Sequence, residues 1–209
     1  MTSSSSPTAK DYYSNIKSKW VEEYPSSDNL HETWGFYKEC GYKDPEATLR
    51  SMLDPISFEK KRLLDYGCDK GLMADFFSSS LEGVEGYGID INEEAIKHAR
   101  KRFPTMTFGV GDGITIPYPD KHFDCVIAVA TIKHVRYEDR ERVYAELNRV
   151  ANYALLIEAD ENQQNEKAFQ GWTFYNSNFA EEFERNFDEP VKVVREGGDI
   201  LGLYKCKSL

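Results

Sequence analysis

The chain has 209 residues, 40% of them hydrophobic and 13% aromatic, which suits one α/β domain with a proper core and modest additions. Its formal net charge is −10, a balance that disfavours nucleic acid, whose phosphates select basic stripes. No apolar run reaches the length of a membrane span or of a signal-peptide core, so the expectation is a cytoplasmic protein with no membrane partner.

The opening MTSSSSPTAK is polar and Ser-rich, and residues 1–10 read as a disordered tail. Residues 11–55 read as two or three short helices. DNLHETWGFYKECG offers Asp28 as an N-cap and Gly41 as a stop, and DPEATLRSML places Pro45 at a first helical position after Asp44. From residue 56 to 209, strand and helix patterns alternate in a single further domain. RLLDY is a buried-strand candidate and GLMADFFSSS the helix after it. GYGIDI is the second strand. NEEAIKHARKRF is a helix capped by Asn92, with Ala95, Ile96 and Ala99 on one face. Its basic segment Lys97–Arg102 reads as a solvated face. MTFGV is a third strand, and FDCVIAVA a fourth, apolar enough to be buried on both sides as parallel strands are. YEDRERVYAELNRV is helical, YALLIEA is a fifth strand, and NSNFAEEFERNF is a helix. VKVVRE and ILGLYKC close the chain as a hairpin joined by GGD. Repeated β-α units with a terminal hairpin predict a doubly wound α/β sheet, with ligands beyond the carboxyl ends of the strands beside the first strand.

The turn after that first strand reads DYGCDKG. Gly67 and Gly71 permit a sharp turn or a close approach to a ligand, and the following helix offers free N–H groups. The Walker pattern fails because no G-K-[ST] follows. The dinucleotide pattern G-x-G-x-x-G fails because only Gly67 and Gly71 are present. Asp90 ends the second strand, where an acid accepts from ribose hydroxyls; this suits NAD or another adenosyl cofactor. GVGDG ends the third strand, where Asp112 faces an exocyclic adenine amine and Gly111 and Gly113 let the ring approach. The four cysteines, Cys40, Cys68, Cys125 and Cys206, are too dispersed for a disulfide framework or a zinc site. Reduced thiols fit the cytoplasm.

These residues together resemble the class I S-adenosylmethionine-dependent methyltransferases. The family opens on [DE]-x-G-x-G-x-G, and Asp65-Tyr66-Gly67-Cys68-Asp69-Lys70-Gly71 meets it at three of four places. GYGIDIN resembles its second acidic strand end, GDGITIPYPDKHFDCVIAVATIKHV its third and fourth segments, and TIKHV its L-E-H-[VI] turn, with Lys133 replacing the usual acid. The resemblance covers roughly residues 60–206. It implies a mostly parallel, seven-stranded Rossmann-like sheet with an antiparallel C-terminal hairpin, an N-terminal helical lid, and S-adenosylmethionine as cofactor.

By position, it implies that Asp65, Gly67, Cys68 and Gly71 shape the pocket for the methionine part. Asp90 binds the ribose, Ile91 packs on the adenine, Asp112 meets its amine between Gly111 and Gly113, and Val129 and Ala130 contact the aminoacyl end. Asp69 stands where a glycine is usual; it either contacts the cofactor's ammonium or turns to water. His134 is the candidate base or acceptor-orienting group, with a bracing role as the alternative. Lys133 is a partner for an acidic substrate group or a solvated lysine. Tyr13 and Trp20 (with Tyr12) are lid candidates, and Trp172 and Tyr175, read as lying on a loop after the fifth strand, are candidates for the substrate pocket. Cation–π contact gives such rings a use near a sulfonium. EADEN (Glu158–Asn162), after the fifth strand on the ligand face, reads as a polar loop, with reception of a cationic amine as the alternative.

The expected activity is metal-independent methyl transfer to nitrogen or oxygen of a small molecule by in-line displacement, in a monomer or homodimer. The rivals are a protein or RNA methyltransferase, an NAD(P)-dependent oxidoreductase and a non-catalytic binding protein of the same fold.

Overall fold

A computed structural model describes residues 12–13, 29–161, 164–169 and 172–208. The predicted tail, Asp28 and Trp20 lie outside the described residues. Ahead of the sheet come α1 (Leu30–Glu39) and α2 (Pro45–Ser51). The cap of α1 is Asn29, whose side chain accepts from the Glu32 N–H at 3.0 Å, one residue later than the expected Asp28. Asp44 caps α2 as its position before Pro45 implies, accepting from the Ala47 N–H at 3.1 Å.

The α/β part runs β1 (Arg62–Tyr66), α3 (Leu72–Ser79), β2 (Glu85–Asp90), α4 (Glu93–Arg102), β3 (Thr107–Val110), β4 (Phe123–Val129), a 3-10 turn (Ile132–His134), α5 (Tyr137–Val150) and β5 (Ala151–Ala159). A hairpin follows, β6 (Asn165–Phe169) with β7 (Trp172–Asn176), then α6 (Phe179–Asn186), β8 (Pro190–Glu196) and β9 (Asp199–Lys205). The sheet order is β3-β2-β1-β4-β5-β9-β8. The first five strands are parallel, while β9 runs antiparallel to β5 and β8 antiparallel to β9. This is the expected seven-stranded doubly wound sheet with its antiparallel terminal pair.

The period of two along the strands sorts residues between two cores. Leu64, Val126, Ala128, Ala154 and Leu156 face α5 and α6, meeting Tyr144, Leu147, Phe179 and Phe183. Their neighbours Leu63, Cys125, Ile127, Leu155 and Ile157 face the other way, toward Tyr37, Leu49, Met52, Phe76 and Phe77. Continuous apolar strands such as FDCVIAV are therefore covered on both sides, as parallel sheets require. The neighbours of β1 are β2 on one side and β4 on the other. The order in which strands are laid down reverses there, outward to β3 on one side and to β5 on the other, so a crevice opens at the carboxyl end of the sheet.

The β6–β7 pair corrects one expectation. The aromatic stretch after β5 is an antiparallel hairpin forming its own two-stranded sheet, so Trp172 and Tyr175 stand on a strand and not a loop. Its edges are Asn-rich and short, and period-two alternation over five residues is easily taken for an irregular segment.

Candidate functional site

A cavity of about 330 Å³ opens beyond the carboxyl ends of β1, β2 and β4, within the range of small-ligand sites. At one end lies the glycine-rich turn. Gly67 has φ +79° and Gly71 φ +83°, and between them Asp69 has φ +44°. The position where the family places a glycine is thus left-handed, and Asp is among the few other residues that tolerate it. The Gly67 and Cys68 N–H groups donate to the Ile89 carbonyl at 2.8 and 3.1 Å, stitching the turn to β2. A Cβ on Gly67 would come within 2.4 Å of Thr131 Cγ2, so the turn also needs glycine for its contact with the loop after β4.

Asp90 closes the same corner. Its Oδ2 accepts the Asp69 N–H at 2.9 Å and its Oδ1 the Asn92 N–H at 2.7 Å. Burial raises its pKa to about 6, against the pull of those two amides. Asp65 is 2% exposed, and one of its carboxylate oxygens has no hydrogen-bond partner. Burial first, and then the Asp90 charge, push its pKa well up. Three carboxylates, Asp65, Asp69 and Asp90, therefore share one end of the cavity. An unpaired buried carboxylate beside two others is costly unless a cationic ligand compensates it. That environment fits the ammonium and sulfonium of S-adenosylmethionine.

Cys68, Ile91, Gly111, Gly113, Val129 and Ala130 also line the cavity, as their positions imply. Gly71 does not line it; there a Cβ would press on the Phe108 ring at 2.8 Å, so its glycine serves helix packing as well as the turn. Asp112 is exposed and stands off the cavity wall. Its Oδ1 accepts the Ile114 and Thr115 N–H groups at 2.8 and 2.6 Å, fixing the loop that carries Gly111 and Gly113. Tyr66 adds a second tie to this loop, donating to the Gly113 carbonyl at 2.7 Å.

The other end of the cavity is built from Lys133, His134 and Val135 of the turn after β4, Thr33 of α1, and Phe174 of β7. The His134 and Phe174 ring centroids are 5.1 Å apart, and the Lys133 ammonium lies 5.8 Å from the Phe174 centroid. Desolvation, aided by the Lys133 charge, lowers the His134 pKa to about 3, so its ring is neutral and a poor proton acceptor. Glu158 stands beneath this turn. It is 1% exposed within β5, not on a loop, and its Oε1 accepts the Ile132 N–H at 2.5 Å. Burial raises its pKa to about 7, with Lys133 pulling the other way.

Tyr13 lines the cavity and is buried, with its hydroxyl donating to Asp139 Oδ2 at 3.2 Å. The same oxygen holds Arg136 at 2.7 Å, and the Arg136 guanidinium lies over the Tyr12 ring at 5.1 Å. Tyr175 does not line the cavity; its ring packs edge-on against Tyr12 and Tyr137 at 5.9 and 5.3 Å. Phe174, its neighbour on the opposite face of β7, takes the cavity wall. The backbone of Trp172 opens β7. Arg140 sets the hairpin's position. It donates to the Val135 carbonyl at 3.1 Å and to the Tyr175 carbonyl, and pairs with buried Glu182 at 2.8 Å. Tyr137 donates to the Asn176 carbonyl at 2.7 Å. Phe174, Thr33 and Arg140 were not singled out from the sequence. Only the alternation TFYN within the aromatic stretch carried a signal for Phe174.

The fold and the layout of the site resemble the methyltransferase domain of class I S-adenosylmethionine-dependent enzymes. Residues 63–153, the core of that domain, match the family model described as a methyltransferase domain. The chain is 28% identical over 160 residues to a norajmaline N-methyltransferase of Rauvolfia serpentina, covering 68% of this chain and 53% of that one. It is 29% identical over 126 residues to a putative 23S rRNA (guanine-N(1)-)-methyltransferase of Bacillus subtilis, covering 57% and 42%. Other relatives carry the names of O-methyltransferases. The chain spans about half or less of the length of these curated relatives. Among solved structures, it superposes with TM-score 0.72 and 13% identity on a Burkholderia thailandensis 1,6-didemethyltoxoflavin-N1-methyltransferase with bound substrate and S-adenosylhomocysteine, covering 99% of this chain and 94% of that one. Among the described residues no helix is long and apolar enough to cross a membrane, and no cluster of three or more His, Cys, Asp or Glu side chains could hold a metal.

Proposed function

We propose that this protein transfers a methyl group from S-adenosylmethionine to nitrogen or oxygen of a small molecule by metal-independent in-line displacement. The observation that carries the reading is the unpartnered, buried Asp65 carboxylate oxygen among three aspartates at the switch point of the sheet. When bound, S-adenosylmethionine supplies a methyl group activated by a positively charged sulfur. The chain's own contribution is to position and to exclude water. Asp65 and Asp69 offer negative charge toward the cofactor's cationic centres. Asp90, already fixed by two amides, offers its remaining lone pairs to ribose hydroxyls. Ile91 and the bare backbone at Gly111 and Gly113 leave a flat apolar slot for an adenine.

The Tyr13 ring stands beside Gly113 at the cofactor end, while Phe174, Val135 and His134 line the other end. With its pKa near 3, His134 shapes and orients; it does not take a proton at neutral pH. Acceptors among the relatives range from alkaloids to ribosomal RNA by name. The net charge of −10 supports the small molecule over the RNA. Transfer of tritiated methyl from S-adenosylmethionine across a screen of acids, phenols, amines and RNA tests the reading. Label appearing in low-mass product supports it. Label appearing only in RNA would replace it with the nucleic-acid alternative.

A further inference from the structure

The charges lining the cavity are segregated. All three carboxylates sit at the cofactor end, and the one cation among the described lining residues, Lys133, sits at the other. The Lys133 ammonium forms no ion pair or hydrogen bond with a described residue; it lies over the Phe174 ring, 5.8 Å from the centroid. Glu158 and Asp199 act on it only at a distance. One Glu158 oxygen accepts the Ile132 amide while the other is buried without a hydrogen-bond partner and makes no ion pair with Lys133, and Asp199 accepts from the Tyr42 hydroxyl at 2.8 Å. A cation left without a partner beside an aromatic wall favours an anion with a flat apolar body.

Among the described residues that line this end, none is a competent base near pH 7, which narrows the acceptor further. Alcohols and most phenols must lose a proton on or before attack, and neutral His134 cannot accept one near pH 7. Amines that enter as ammonium ions meet the like charge of Lys133. An acid that arrives already ionised meets neither obstacle.

Resting on the methyltransferase reading above, we infer that the acceptor is a carboxylic acid on a planar or otherwise flat apolar body, and that Lys133 is the residue that selects it. A carboxylate oxygen forms the new bond to the methyl carbon as the methyl–sulfur bond breaks, and the bonding pair stays on sulfur. The products are a methyl ester and S-adenosylhomocysteine, with no proton to move. Phe174 and Thr33 flank the acid's body.

The test uses the full chain. Calorimetry with S-adenosylhomocysteine comes first. The loaded protein is then titrated with cinnamate, benzoate and indole carboxylates, each paired with its primary amide and its amine. The same panel is assayed for methyl transfer, with ester identified by mass. The expected result is that the acids bind, and are turned over by kcat/KM, roughly tenfold or more better than their amides. Lys133→Met should abolish that preference through acceptor affinity and KM while leaving S-adenosylhomocysteine affinity within about twofold, and Lys133→Arg should retain much of it. Acids no better than amides, or amines preferred, overturns the inference and leaves the methyltransferase reading intact. So does Lys133→Met weakening S-adenosylhomocysteine as much as it weakens the acids, which would assign Lys133 to the cofactor's own carboxylate. No S-adenosylhomocysteine binding by the wild type overturns both.

Discussion

The two ends of the cavity are made in different ways. The cofactor end is a matter of backbone: left-handed residues at Gly67, Asp69 and Gly71, an amide pair on Asp90, and bare glycines at 111 and 113. The other end is a matter of docking: a short turn and a hairpin are held over the sheet by buried Arg140 and its partner Glu182, and Tyr13 is tied from the N-terminal side to Asp139 of α5. The first kind of construction is local and tolerates few residue types. The second depends on long-range packing and leaves room for different substrates on one cofactor site.

The largest expected effect is at the docked end. Arg140→Met should destabilise the protein by about 3–5 kcal/mol, because Glu182 is left buried and uncompensated. Urea unfolding of Arg140→Met, and of Arg140→Met with Glu182→Leu, checks this; the second change should recover much of the loss. If the single variant unfolds like the wild type, the hairpin is not held as described.

Glu158 gives the next effect, through pH. Its pKa is raised from 4.5 to about 7, so the folded state holds its proton more tightly than the unfolded chain. Its contribution is most favourable below the unfolded value and is lost as pH rises through about 7. The loss is roughly 3 kcal/mol for a shift of this size. Glu158→Gln should flatten the fall in stability between about pH 4.5 and 8. Asp65 and Asp90 are shifted the same way. Saturating S-adenosylmethionine, a cation, should flatten their share and leave that of Glu158. Thermal unfolding across pH, with and without cofactor, separates the two ends.

A smaller effect tests the backbone end. Gly67→Ala places a methyl in a left-handed residue and against Thr131. It should cost about 1–3 kcal/mol in stability and reduce S-adenosylhomocysteine affinity further. The smallest is Tyr13→Phe, which removes only the hydroxyl bond to Asp139 and should cost about 1 kcal/mol. Its Kd for S-adenosylhomocysteine should barely move, because the ring beside Gly113 is kept, and chemical denaturation with calorimetry reads both.

The same division explains what could be read from the sequence. The doubly wound α/β alternation, the central apolar strands and the site's place beside β1 followed from periodicity and turn signals, because those patterns have local physical causes; the seven-stranded sheet was what the family resemblance implied. Asp65, Asp90 and the glycines were legible for that reason, and φ +44° explains why Asp69 could stand in for a glycine. Asp112 was read as an acceptor for an adenine amine because it is an acid between glycines; its Oδ1 accepts two amides of its own turn, which the sequence did not show. The hairpin was missed, and Phe174 with it, because five-residue strands in a polar context show little periodicity. Arg140 gave no signal, and Glu158 was read as part of a polar loop and not as a buried strand residue, since a charge's burial is set by elements far apart in the chain.

The central claim is that the carboxyl ends of β1 and β2 bind S-adenosylmethionine, and calorimetric titration of wild type and Asp90→Ala with S-adenosylmethionine and S-adenosylhomocysteine tests it most directly. The account predicts one binding site per chain in the wild type, weakened by about 2–4 kcal/mol in Asp90→Ala through loss of charged hydrogen bonds and of the turn they fix. Absence of binding at millimolar ligand, or equal affinity in the two proteins, would contradict it.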